Sequence, residues 1–180
     1  MRHRMNPIAV AAALALSGAA AAGDDVATVP AVDLQRYAGT WHEQARLPNR
    51  FQEQCRSDVT ATYAVQADGT VEVRNQCRDA DGGVVTAVGL AVVDDPAQPG
   101  LLRVTFLPAG LRWLPFGHAQ YRIVALDPDY RWSIVGGEDR RYLWLLTRSP
   151  QIDASERQAL IGRAQALGYD TTRLIASPPR

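Results

Sequence analysis

From Gly39 to Thr147 the chain divides into eight short apolar-rich segments, several of which alternate apolar with polar residues, separated largely by Gly-, Pro- and Asp-rich turn signals. Alternation with a period of two marks half-buried strands, because successive side chains of an extended backbone point to opposite faces. The segments are the stretch around Trp41, Val59 to Val65, Val71 to Asn75, Val84 to Val93, Leu101 to Leu107, Tyr121 to Leu126, Trp132 to Val135 and Tyr142 to Thr147. Asp68-Gly69, Asp81-Gly82-Gly83, Pro99-Gly100, Asp127-Pro128-Asp129 and Gly136-Gly137 punctuate them. Short links make consecutive strands antiparallel neighbours, and eight strands is the number that closes around one small-ligand cavity. The expected fold is therefore all-β, an eight-stranded antiparallel up-and-down β-barrel. After it, Ala159, Leu160, Ala164 and Leu167 recur at helical spacing from Asp153 or Ser155 onward, with Gly168 as a stop. This predicts one C-terminal α-helix packed outside the barrel, followed by a short ninth strand over Leu174 to Ala176.

Two ends of this pattern fit each other. Gly39 lets the chain turn into the first strand of Gly39-Thr40-Trp41-His42-Glu43, and Trp41 is large enough to plug the narrow end of a barrel. Arg148 closes the last strand, where its guanidinium can stack on the Trp41 indole and donate to nearby carbonyls. Gly39, Trp41 and Arg148 are thus the expected closure of the barrel.

The first 22 residues read differently. Arg2 and Arg4 precede an apolar run from Ile8 through Leu16, and Ala20-Ala21-Ala22 supplies small residues for cleavage, so residues 1–22 are expected to be a signal peptide and residues 23–180 the domain. Without the leader's two arginines, seventeen basic residues face nineteen acidic ones, all the basic ones being Arg. That balance gives no electrostatic case for nucleic acid. Export makes a disulfide between Cys55 and Cys77 the default, the alternative being two buried thiols. A two-residue turn in the intervening hairpin would put Cys77 opposite Thr60, so the bridge needs the chain before Thr60 to bulge or fold back.

Strand parity nominates the interior. Val59, Ala61, Tyr63 and Val65 share one face, as do Val71 and Val73, Leu102, Val104 and Phe106, and Tyr121 and Ile123. Trp144 lies on the face of Arg148, which is the inner one if Arg148 reaches Trp41, and Leu143 and Leu145 then lie under the helix. The candidate ligand-binding set is Val59, Ala61, Tyr63, Val73, Leu102, Val104, Phe106, Tyr121, Ile123 and Trp144, with Arg112, Trp113 and Phe116 from the loop between Leu107 and His118. Core packing alone is the competing reading for each. Trp113, Leu114 and Phe116 form either a hydrophobic lip that touches a membrane or lids the ligand, or a plug tucked back into the barrel. Arg46, Arg50, Arg56, Arg78, Arg112, Arg140 and Arg141 fall in or near the mouth loops, where they either attract an anionic headgroup or are simply solvated.

Three motifs carry a resemblance to a known family. Gly39-Thr40-Trp41-His42-Glu43, Ala125-Leu126-Asp127-Pro128-Asp129-Tyr130 and Tyr142-Leu143-Trp144-Leu145-Leu146-Thr147-Arg148 occur in the order and spacing of the lipocalins. The chain resembles in particular the bacterial lipocalins related to apolipoprotein D, of the outer-membrane lipoprotein type, from roughly Asp33 to Ala176. The resemblance implies a carrier with one closed end, one open mouth and an apolar interior for lipids or other hydrophobic small molecules. Its best-known bacterial members are anchored through a leader cysteine, whereas the first cysteine here is Cys55. The expected location is accordingly the periplasm or outside the cell, with outer-membrane association through the 108–117 loop as an option.

Burying an acyl chain gives roughly 0.8 kcal/mol per methylene against an association cost of about 4 to 15 kcal/mol, so a chain of about 14 carbons reaches micromolar binding and a short acid does not. Long-chain fatty acids or lysophospholipids are the expected ligands. The sequence has no Gly-x-Ser-x-Gly elbow, no phosphate-cradling glycine loop and no His-rich metal spacing, and His42 and His118 read as ordinary sheet or surface residues. No catalytic residue, metal or cofactor is assigned. A catalyst built into the barrel should show a polar group deep inside with a perturbed titration, a carrier only apolar walls, and an envelope structural or adhesion protein a solidly packed barrel.

Overall fold

A computed structural model describes residues 26–114 and 116–177; the expected leader, residues 1–22, lies outside them. A short helix α1 (Leu34–Tyr37), capped by the Asp33 carboxylate on the backbone N–H groups of Gln35 and Arg36, leads into β1 (Gly39–Arg46). There follow β2 (Ser57–Val65), β3 (Val71–Arg78), β4 (Val84–Val93), β5 (Leu101–Thr105), β6 (His118–Leu126), β7 (Trp132–Gly136), β8 (Leu143–Thr147), α2 (Ala154–Ala166) and β9 (Ile175–Ala176). Strands β1 to β8 pair antiparallel in chain order, and β1 joins both β2 and β8, so the barrel is closed with β9 as an extra strand on β1. The expected architecture is the observed one; α1 had no clear sequence signal.

The β2–β3 hairpin departs in register. The Gln66 N–H donates to the Thr70 carbonyl, which leaves residues 67–69 in the turn, with Gly69 at φ 83°. This three-residue turn places Thr60 opposite Gln76 rather than Cys77. The bulge expected before Thr60 is present, with Asp58 at φ 53° and its carboxylate 2.9 Å from the Arg78 Nε. It brings Cys55 and Cys77 into a disulfide with Cα atoms 5.5 Å apart, buried with Val59 and flanked by Val85.

Two more bulges sort the barrel into inside and outside. Gln44 is the extra residue where Glu43 opposes Leu146 and Ala45 opposes Leu145, so Ala45 turns outward while Arg46, opposite Trp144, turns inward. Val124 plays the same part between Ile123 and Ala125 on β6. Outside, Ala45, Val124, Ile134, Leu143 and Leu145 pack under Leu160 and Ala164 of α2, as expected for the outer face of β8. Arg157 of α2 donates to the carbonyl of bulged Gln44 at 2.7 Å.

Candidate functional site

The narrow end is sealed. Trp41 is wholly buried, and the Arg148 guanidinium carbon lies 3.9 Å from its ring centroid. Arg148 also donates to the carbonyls of Arg36, Tyr37, Ala38 and Thr40, tying α1 to the barrel, while the Trp41 indole N–H donates to Tyr37 at 2.9 Å. Gly39 sits at φ 93°, a conformation strained for any residue with a Cβ, and an added Cβ would also lie a tight 3.3 Å from the Arg148 Nη1. The three closure residues predicted from sequence meet here.

Above this plug, Tyr63, Val73, Leu102, Val104 and Ile123 are buried together with Trp41, Val71, Ala91, Val135 and Leu146. Ala61, Tyr121 and Trp144 pack against the same group, half-buried. Of the candidate lining residues, five are thus sealed into the lower packing layer. Val59 belongs instead with the disulfide, and Phe106, on the inner face beside Gly89, is 46% exposed. Strand pairing puts Asn75 opposite Ala61 and Ala87, and Ala119 opposite Val104, all on the inner face. All three are nevertheless exposed. These inward residues mark the upper half of the barrel as open to water, at its mouth and where β2 leaves β1 after the His42–Thr60 pair and β4 runs past its last pair with β5. Sequence parity alone did not single out these small residues, since an inward Ala or Asn reads as filler until its neighbours are known.

The interior expected to be wholly apolar is not. Tyr37, Tyr63 and Tyr121 join their hydroxyls, Tyr121 bonding Tyr63 at 2.7 Å and Tyr37 at 2.9 Å, and Tyr37 bonds Ser133 at 3.1 Å. Burial pushes the Tyr37 phenol up to about 12, with the hydrogen bonds of Ser133 and Tyr121 and the Arg148 charge offsetting part of the rise. Burial also raises Tyr63, reinforced by Tyr37 and offset in part by the Tyr121 hydrogen bond, and raises Tyr121, reinforced by both phenol neighbours. At neutral pH the cluster is uncharged and serves as a hydrogen-bonding floor, not as a base.

The wall towards the mouth has a second polar group. Glu43 and Arg46 form a buried ion pair at 2.7 Å, and the same carboxylate accepts from Gln52 and Ser177. Gln52 in turn accepts the Trp144 indole N–H at 2.7 Å. Trp144 stacks on Tyr142, with centroids 6.0 Å apart and planes 6° apart, and Tyr142 meets Phe51 of the 47–56 loop at 5.9 Å. An aromatic row therefore runs from rim to lumen.

The loop between β5 and β6 projects from the mouth. Trp113 is 77% and Phe116 66% exposed, so these side chains form a lip and are not tucked into the barrel. Arg112 is held to the Leu107 carbonyl. His118 is more than an ordinary sheet residue: its Nε2 lies 3.0 Å and 3.1 Å from the carbonyls of Arg112 and Leu114, so it pins the lip as a donor to both. Among the described residues no group of three His, Cys, Asp or Glu is placed to hold a metal ion.

A barrel plugged at one end, open at the other and apolar through most of its wall defines a protein that holds a small hydrophobic molecule. Residues 32–179 match the lipocalin-like domain, and the chain belongs to the lipocalin family, whose members bind small hydrophobic ligands. It is 36% identical over 151 residues to the outer membrane lipoprotein Blc of Escherichia coli K12, covering 83% of this chain and 81% of that one. It is 28% identical to bovine (Bos taurus) apolipoprotein D over 67% of this chain and 62% of the other. In three dimensions it is similar to insecticyanin from the tobacco hornworm Manduca sexta, with a TM-score of 0.66 at 20% identity, over 86% of this chain and 84% of the other.

Proposed function

We propose that the protein binds and carries or stores long-chain fatty acids or lysophospholipids in the bacterial cell envelope, either in the periplasm or secreted, with peripheral association to the outer membrane. The observation that carries this reading is the water-accessible upper lumen, flanked by Ala61, Phe106, Tyr142 and Trp144 and floored by the sealed layer above Trp41. An acyl chain of about 14 carbons entering it gains roughly 0.8 kcal/mol for each methylene buried, enough for micromolar affinity after association costs. The similarity to outer membrane lipoproteins supports the envelope location.

Delipidated protein titrated with tetradecanoate or 14-carbon lysophosphatidylcholine is expected to show saturable tryptophan fluorescence changes with Kd of about 1–10 micromolar. Trp144→Phe should remove most of the signal. No saturable change with any lipid of a chain-length series up to about 50 micromolar would count against the carrier reading.

The lip supports contact with a bilayer surface, since Trp113 and Phe116 place two large aromatic side chains in solvent beside the mouth. Wild-type protein is expected to co-sediment with phosphatidylethanolamine–phosphatidylglycerol vesicles, and Trp113→Ser with Phe116→Ser to lower the bound fraction at least about fivefold. An unchanged bound fraction in the double variant would exclude the lip from membrane contact.

A further inference from the structure

The loops at the mouth join β1 to β2, β3 to β4, β5 to β6 and β7 to β8, and they stand around the rim in that order. The 106–117 lip therefore lies directly across the opening from the 47–56 loop. Every large apolar side chain that the described residues leave exposed belongs to the mouth half of the barrel, and none to the sealed end. Phe106, Leu111, Trp113 and Phe116 form one flank, on the lip. Phe51, 54% exposed, and Ile175 form the opposite one, Phe51 on the 47–56 loop and Ile175 on β9 beside the mouth end of β1. Val84 opens β4, and Val88 lies beyond the last β4–β5 pair, Leu90–Thr105, again towards the mouth.

The rim is built for a lipid surface. The Trp113 indole N–H donates to the Gly110 carbonyl at 3.0 Å, so the exposed ring carries no unmet polar demand. Next to Phe51, a crevice of about 390 Å³ holds Arg50, Arg140, Arg141 and Arg173 against Asp170. Arg141 pairs with Asp139, while Arg50, Arg140 and Arg173 have no carboxylate within ion-pair reach among the described residues. Aromatic rings settle at headgroup level and guanidiniums meet lipid phosphates there. Glu53, Asp79, Asp81 and Glu138 share the rim, so insertion of the apolar side chains carries most of the contact and anionic lipid adds to it.

Two apolar flanks on opposite sides of an opening reach one plane together only when the opening faces that plane. We infer that the protein docks on a bilayer mouth-down, on the lip and the Phe51–Ile175 flank at once, and that its cargo passes directly between bilayer and lumen. Contact through the lip alone is also met by a side-on pose, which leaves the mouth in water. Mouth-down docking removes the step in which the whole acyl chain is hydrated, the costly one for an apolar cargo. This rests on the carrier reading and adds the route by which the lumen is filled and emptied.

Orientation is read on a Phe51→Trp variant in a Trp113→Phe, Trp144→Phe background, using phosphatidylethanolamine–phosphatidylglycerol vesicles with brominated acyl chains. The background protein keeps only Trp41 and Trp132, both towards the sealed end. Emission from position 51 is expected to fall by about half on vesicle binding, and that of the background protein by less than about a tenth. Equal quenching in the two proteins, or mouth-to-mouth dimers in place of vesicle binding, overturns the mouth-down pose. Transfer is read with anthroyloxy-labelled stearate moving from wild-type protein to vesicles that carry an energy-acceptor lipid. Its rate is expected to rise about tenfold when vesicle concentration rises about tenfold, and to drop at least about fivefold in the Phe51→Ser, Ile175→Ser variant. A rate independent of vesicle concentration means release into water and overturns direct transfer. An unchanged rate in the variant overturns the second flank. If the labelled stearate does not bind the protein at all, the carrier reading itself fails.

Discussion

Trp41→Ala is expected to lower the unfolding free energy by about 4 kcal/mol, the range for truncating a fully buried tryptophan being roughly 3–5. The indole is wholly buried and fills the end of the barrel against Tyr37, 4.9 Å between ring centroids. Three losses add: the apolar area of the ring, the hydrogen bond from its N–H to the Tyr37 carbonyl, and the platform under the Arg148 guanidinium. Arg148 would keep its four carbonyl acceptors, so α1 should stay tethered while the space above it empties. Urea unfolding followed by far-ultraviolet circular dichroism measures the difference without relying on the deleted fluorophore. A loss below about 1 kcal/mol would mean that Trp41 is not the plug.

The second large effect is alkaline. Tyr37 ionises in the folded protein only near 12, and Tyr63 and Tyr121 are raised as well, burial being the main cause for all three. In the unfolded chain a phenol ionises near 10. Below that pH both states hold the proton and the cluster adds no pH dependence. Above it the unfolded chain releases protons that the native state retains, so stability falls as pH rises, through the window from about 10 to the raised native values. Each phenol contributes up to about 1.4 kcal/mol per pH unit, and three together about 4, so a domain of ordinary stability should unfold within about two units. Tyrosinate absorbance from the cluster is expected to appear together with the loss of circular dichroism, and Tyr121→Phe to reduce the steepness by about a third. Tyrosinate that develops fully while the fold persists would show that the three phenols are not sealed.

Much of this molecule was legible before any coordinates. Period-two alternation gives strands because each must bury one face, so β2, with Val59, Ala61 and Tyr63 against Asp58, Thr60 and Thr62, could be read directly. The closure residues were legible because a tryptophan and an arginine at opposite ends of the sequence have few other reasons to sit on inner faces. Register was less so: the choice between two and three residues in the Asp68-Gly69 turn lies in a single hydrogen bond, and it shifted Thr60 by one partner. Helix α1 has four residues, too few to show a period, and depends on Asp33 as a cap and Arg148 as a tether. The tyrosine floor and the Glu43–Arg46–Gln52–Trp144 chain join residues far apart in sequence, and the His118 clasp, though only four to six positions long, depends on how the loop before β6 folds back. Their types were visible, but which of them would meet is decided by pairing and bulges.

The β1 seam also bears on how the chain reaches this state. Arg148 bonds to Thr40 across 108 positions, and Ser177 to Glu43 across 134. Such distant partners make assembly slow compared with a helical bundle of the same size. While the C-terminal part is still being synthesised, β1 lacks the strands that cover its flank, and an unpaired flank invites association with other molecules. Maturation of this barrel thus waits on β8 and β9, and a chain lacking β9 and Ser177 would leave Glu43 without the hydroxyl that helps lock the cup in place.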